Sequence, residues 1–99
     1  MKINKKYNGD ELTMAVEGRI DTLTSQILDK QINDELGRFN SLTIDFKDVE
    51  YISSAGLRVL ISAQKKLEGD DASMRIINVG DVVNEIFTMS GFDKILKIE

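Results

Sequence analysis

The sequence predicts an α/β fold: a mixed, mostly parallel sheet, opened by a β-hairpin, with helices packed on it. Three observations predict it. Apolar residues alternate at period two in short stretches and recur at steps of three and four in the stretches between, so strand and helix patterns follow one another. Asn8-Gly9-Asp10 marks a tight turn close to the start, of the kind that joins two antiparallel strands. Glycine or aspartate stands at most junctions, and the chain has no proline to interrupt an element.

Taken in order, the hairpin uses residues 2 to 7 as one arm. Leu12, Met14 and Val16, alternating with Thr13, Ala15 and Glu17, make the other, which ends at Gly18. Asp21 or Thr22 then caps a helix with the apolar stripe Leu23, Ile27, Leu28, Ile32, Leu36 and Phe39. Gly37 lies near its end, and Asp29, Lys30, Asn33 and Asp34 face water. Leu42, Ile44 and Phe46 alternate with Thr43 and Asp45, and Val49 and Ile52 continue past Lys47-Asp48, as in a central strand.

A second helix is expected from about Ser54 to Glu68. Leu57, Leu60, Ile61 and Leu67 fall on its inner face, and Arg58, Lys65, Lys66 and Glu68 reach water. Gly69-Asp70-Asp71 stops it, and Met74, Ile76, Ile77 and Val79 form a fourth strand. Gly80-Asp81 opens a third helix with Val82, Val83, Ile86, Phe87 and Met89 on its apolar face, closed by a left-handed Gly91. Ile95, Leu96 and Ile98 read as a last short strand. Strands joined through helices are βαβ units with right-handed crossovers.

Residues 1–99 make a single domain, too short for a catalytic and a regulatory unit together. Thirteen Lys plus Arg against 17 Asp plus Glu, the basic residues scattered, leave no patch for a phosphate backbone, so no nucleic-acid partner is expected. With neither cysteine nor histidine, the chain has no disulfide, no thiolate chemistry, and neither the usual zinc ligands nor the usual general base. No metal, no cofactor and no catalytic residue is expected. No apolar run approaches the roughly 18 residues of a membrane span, and MKINKKYNGDE lacks the apolar core of a signal peptide, so no membrane partner and a cytoplasmic location are expected.

The stretch Tyr51-Ile52-Ser53-Ser54-Ala55-Gly56-Leu57-Arg58 joins the central strand to the second helix. With Ser53 as N-cap, Ile52 and Leu57 take the two positions of a hydrophobic staple, and Ser54 enters the first turn with its hydroxyl free. There it lies beside backbone N–H groups without intrahelical partners, at the positive end of the helix dipole, where a phosphate is electrostatically welcome. On residues alone, both serines read first as plain caps. Asp21, Asp45 and Asp48 fall at element ends toward the same side; Asp45 and Asp48 read as caps and loop solvators. The glycines read mostly as one per junction. Ser62-Ala63-Gln64-Lys65 matches an S-x-x-K pattern by letter, but in mid-helix and without companion motifs.

With these residues in place, nearly the whole chain resembles a STAS domain, the family named for sulfate transporters and anti-sigma factor antagonists. The family's G-x-[LI]-D segment is matched by Gly18-Arg19-Ile20-Asp21, and its D-S-[ST]-G-L turn by Ser53-Ser54-Ala55-Gly56-Leu57. Two positions depart: Ser53 stands where the family has aspartate, and Ala55 where serine or threonine is usual. The resemblance implies a stand-alone, non-enzymatic anti-sigma factor antagonist. Its partners are then an anti-sigma factor that is also a serine kinase, bound when the domain is unphosphorylated, and a phosphatase that resets it. Alignment on the glycine and leucine puts the phosphorylated serine on Ser54, with Ser53 the second choice. The implied partner surface is Asp21, Ser53, Ser54, Ala55, Gly56 and Arg58. The alternative from a different class is an unphosphorylated scaffold, or a ligand-binding subunit of a larger sensory complex, in which both serines only cap.

Overall fold

Alternation along two central strands decides where everything else sits in the computed structural model, which describes residues 1–99. Strands β1 (Lys2–Asn8), β2 (Glu11–Ile20), β3 (Ser41–Ile52) and β4 (Ser73–Ile77) lie side by side in chain order. The first pair is antiparallel and the other two are parallel. Leu12, Met14 and Val16 of β2 and Leu42, Ile44 and Phe46 of β3 point into the core, each with no more than 1% of its surface exposed.

The helices are α1 (Thr24–Glu35), α2 (Ser54–Gly69) and α3 (Asp81–Ser90). They add Leu28, Ile32, Leu60, Ala63, Leu67, Val83 and Phe87 to the same apolar cluster, so all three cover one face of the sheet. The crossovers β2–α1–β3 and β3–α2–β4 step the same way across the sheet, which with the usual hand sets α1 beside α2. These two helices pack on each other, and α3 lies on β3 with Phe87 stacked on Phe46, ring centroids 6.2 Å apart. On the opposite face the contacts are polar. Arg75 Nε donates to Thr43 Oγ1 at 2.9 Å, and Asn78 Nδ2 to Asp45 Oδ1 at 3.1 Å.

The expected element order holds, with instructive differences. β2 does not end at Gly18 but continues to Ile20. Its pairing with β3 shifts register at Ala15/Glu17 and Gly18/Arg19, where β3 carries extra residues, and Gly18 takes φ +102°. A glycine adopts that angle without strain, so the strand passes the irregularity and delivers Ile20 to the core. β3 likewise runs unbroken through Lys47-Asp48, so Asp45 and Asp48 are strand residues and not caps.

Leu23, Ile27, Val82 and Met89, assigned to apolar stripes, are exposed at 72%, 47%, 62% and 81%. Each helix presents a narrower face to the sheet than its apolar residues suggest. Leu23 also precedes the first helical residue, in the turn that leaves the sheet. Phe39 is buried, but from the loop after α1. In place of a last strand, Phe92–Lys94 form a 3-10 turn and Ile98 makes a single parallel bridge to Ile76, with Leu96 buried between. No helix is long and apolar enough to cross a membrane.

The exposed strand β1 is tied down through a carboxylate on the far helix. Lys5 and Tyr7 lie on the helix-facing side of β1, and Glu35 at the end of α1 accepts from Tyr7 Oη at 2.7 Å and Lys5 Nζ at 3.0 Å. The tyrosine hydroxyl first, then the lysine, hold the Glu35 carboxyl below the usual carboxylate range. Because the folded state lowers this pKa, the stabilisation is fully present above the ordinary carboxylate pKa of about 4.3 and is lost as pH falls through the folded value. Urea unfolding midpoints measured between pH 7 and pH 2.5 should therefore drop on acidification. Glu35→Gln should lower the midpoint at pH 7 and flatten the drop; an unchanged acid profile would exclude Glu35 as the group responsible.

Candidate functional site

At the end of β3 the chain turns into α2 through Ser53, whose φ −87° and ψ 171° are extended, as an N-cap requires. Three bonds fix this residue. Its N–H donates to the Ile20 carbonyl at the end of β2 at 2.8 Å, and its carbonyl accepts from Leu57 N at 2.9 Å. Its hydroxyl accepts from Gly56 N at 3.2 Å. Ser53 is thus the cap that the sequence predicts, and Ile52 and Leu57, the staple positions, are both buried.

Ser54 is the first residue of the helix and is exposed. The hydroxyl bond of the turn belongs to Ser53, and the Ser54 hydroxyl takes no part in it. Ala55 is half-buried. Arg58, one turn on, is exposed, and its Nε donates to the Ser54 carbonyl at 3.4 Å.

Gly56 differs from its expected role. It is buried beneath the turn, so it offers a partner no surface. A Cβ on it would lie 2.7 Å from Ile20 Cγ2 and 2.7 Å from Ile52 Cγ1, closer than any real contact. Its function is to let the first turn of α2 close onto the ends of β2 and β3; it is a packing glycine, not punctuation.

The second turn of the site begins where β2 ends. Asp21 Oδ1 accepts from Leu23 N at 3.0 Å and Thr24 N at 2.8 Å, while Thr24 Oγ1 accepts from Asp21 N at 2.8 Å and donates to the Arg19 carbonyl at 2.7 Å. This reciprocal arrangement is a capping box with aspartate first and threonine fourth. The Thr24 N–H, then the Thr24 hydroxyl, with smaller help from Leu23 N–H and the Arg19 charge, keep the Asp21 carboxyl ionised below its ordinary range. The Ser53–Ile20 bond joins this turn to the serine turn, so Asp21, Ser53, Ser54, Ala55 and Arg58 do share one end of the sheet. Asp45 does not join them: it lies in the half of β3 that pairs with β4, bonded to Lys47 N and Asn78.

Two neighbours escape sequence reading. The Arg19 guanidinium lies 4.5 Å from the centre of the Tyr51 ring, its partner across the β2–β3 register. Only the strand pairing brings them together. Thr24 was also missed, although a hydroxyl three residues after a capping aspartate is a signal for such a box. No three His, Cys, Asp or Glu side chains group as metal ligands.

Comparisons with known proteins agree with this geometry. A family model described as the STAS domain matches residues 2–99. The anti-sigma-B factor antagonist of Bacillus subtilis is 24% identical over 98 residues, covering 99% of this chain and 90% of that protein. The crystal structure of an anti-sigma factor antagonist from Mycobacterium paratuberculosis superposes with a TM-score of 0.88 at 23% identity, covering 98% of this chain and 83% of that one. SpoIIAA in its unphosphorylated form superposes with a TM-score of 0.83 at 14% identity, over 99% of this chain and 88% of that one. Its phosphorylated form, from Bacillus, gives 0.76 at 13% identity, over 99% and 91%. At these identities the solved structures establish the shared fold.

Stability separates the two serines from each other, and an alanine at Gly56 tests the packing beneath them. Ser53→Ala should cost about 1 kcal/mol through the lost cap, and Ser54→Ala should stay within about 0.5 kcal/mol. Gly56→Ala should destabilise by about 1–3 kcal/mol from overpacking, less the roughly 1 kcal/mol by which alanine favours a helix. Denaturant titration of the three variants checks the order.

Proposed function

The chain belongs to the STAS domain family, and we propose that within it this protein acts as an anti-sigma factor antagonist with Ser54 as its switch. The observation that carries the reading is the division of labour at the turn: Ser53 is consumed by the cap, and Ser54 is displayed at the helix start. The names of the similar proteins support the role.

In this reading the unphosphorylated domain docks the start of α2 and the adjoining Asp21 turn on an anti-sigma factor that is also a serine kinase, in the cytoplasm. The Ser54 oxygen takes the γ-phosphoryl group of ATP held by the partner, the serine proton is released, and ADP departs. A phosphatase later hydrolyses the ester. The domain supplies no catalysis of its own in this cycle. Phosphate adds about −1.5 to −2 charges. The domain tolerates them, because the uncapped N–H groups and dipole of α2 face the modification. A partner surface pressed onto the same turn does not, since it must desolvate the phosphate or open a gap. A hundredfold loss of affinity requires only about 2.8 kcal/mol.

Incubation with ATP and the partner kinase, followed by mass spectrometric mapping, should place one phosphate on Ser54 and none in Ser54→Ala. Ser54→Asp should unfold at a denaturant concentration no lower than the wild type's and lose the partner by tenfold or more. No phosphate on this turn, or undiminished binding by Ser54→Asp, would overturn the switch. An unmodified protein recovered from a multi-subunit complex would favour the scaffold role.

A further inference from the structure

The first turn of α2 lacks the anion that a helix start ordinarily receives. Acidic residues are favoured there by the dipole, yet α2 has none in its first turn and its cap is the neutral Ser53. The chain instead folds a cation back over the turn. Arg58 is exposed, and its Nε reaches the carbonyl of Ser54 at 3.4 Å. No ion pair engages Arg58 in this structure, the salt bridges being Lys5–Glu35, Lys30–Asp34, Arg75–Glu99 and Lys97–Glu99, and Arg19 rests on Tyr51. A cation at the positive end of a dipole, one turn from a displayed hydroxyl, is an arrangement that an anion on that hydroxyl would complete.

We propose, resting on the reading of Ser54 as the phosphorylated residue, that Arg58 is the intramolecular counter-ion of that phosphate. On modification its guanidinium releases the weak bond to the Ser54 carbonyl and pairs as a fork with the phosphate oxygens. Residues four apart are neighbours on one helix face, and the planar guanidinium matches the spacing of phosphate oxygens. The pair holds the phosphate against α2 and stabilises the released form of the switch. It also distinguishes the two serines. Ser53 lies five residues before Arg58 in extended backbone, off that face, and a phosphate there would forfeit the cap.

The test needs no kinase: phosphoserine is installed at position 54 of the full chain during synthesis, and the phosphate is titrated by ³¹P NMR. The second pKa, about 6 for free phosphoserine, should lie lower in the wild type than in Arg58→Gln by at least about half a unit. Arg58→Lys should keep part of the difference. Phosphorylation should also raise the melting temperature more in the wild type than in Arg58→Gln. The dipole acts equally in all three proteins, so it cancels in these differences. Equal pKa values in wild type and Arg58→Gln would overturn the pairing, whatever the kinase does in cells. Absence of the modification in cells would overturn the switch and leave the titration result standing.

Discussion

The close approach of α2 to the ends of two strands is the constraint on which the rest depends. Gly56 sits where a single added carbon would strike both Ile20 and Ile52, so the helix can begin only in one place and at one rotation. That rotation decides what is displayed. Successive helical residues turn by about 100°, so with Gly56 turned inward, Ser54 two residues earlier must face out, and Arg58 two residues later falls back on nearly the same side. The display of the serine follows from the burial of the glycine.

Other features of the molecule serve the same junction. Gly18 lets β2 pass its register shift and reach Ile20, whose side chain meets α2 and whose carbonyl receives the Ser53 N–H. β3 runs long enough to put Ile52 under the helix. The Asp21–Thr24 box then turns the chain away from the sheet immediately beside the serine turn and gives partners to the Leu23 and Thr24 N–H groups at the start of α1. Two helix starts are thereby tied to one another through backbone, cap and core. A surface held in this way suits the switch proposed above, in which added charge or bulk changes affinity directly and no motion has to be driven.

The Glu35 contacts serve a different end. β1 is an exposed strand with lysines along it, a composition that discourages pairing with other chains, and it has only Ile3 to pack against the core cluster. Tyr7 and Lys5 replace apolar anchorage with polar bonds to α1, which makes the attachment of this strand sensitive to acid.

Sequence by itself determined the element order through α3, the opening hairpin, the mixed and mostly parallel sheet, the Ser53 cap and the candidate hydroxyl on Ser54. Each rests on local periodicity, turn chemistry or capping, which act over a few residues and so are written in neighbouring letters. It misassigned Ile27, Val82 and Met89, because periodicity marks which residues share a helix face and not how much of that face the sheet covers, and Leu23, which stands in the turn before α1. Tertiary structure alone decided that Gly56 is a packing residue, that Arg19 meets Tyr51, and that Glu35 holds β1. All three are contacts between residues far apart in the chain, and a glycine's need for space is set by what stands opposite it, which no local pattern records.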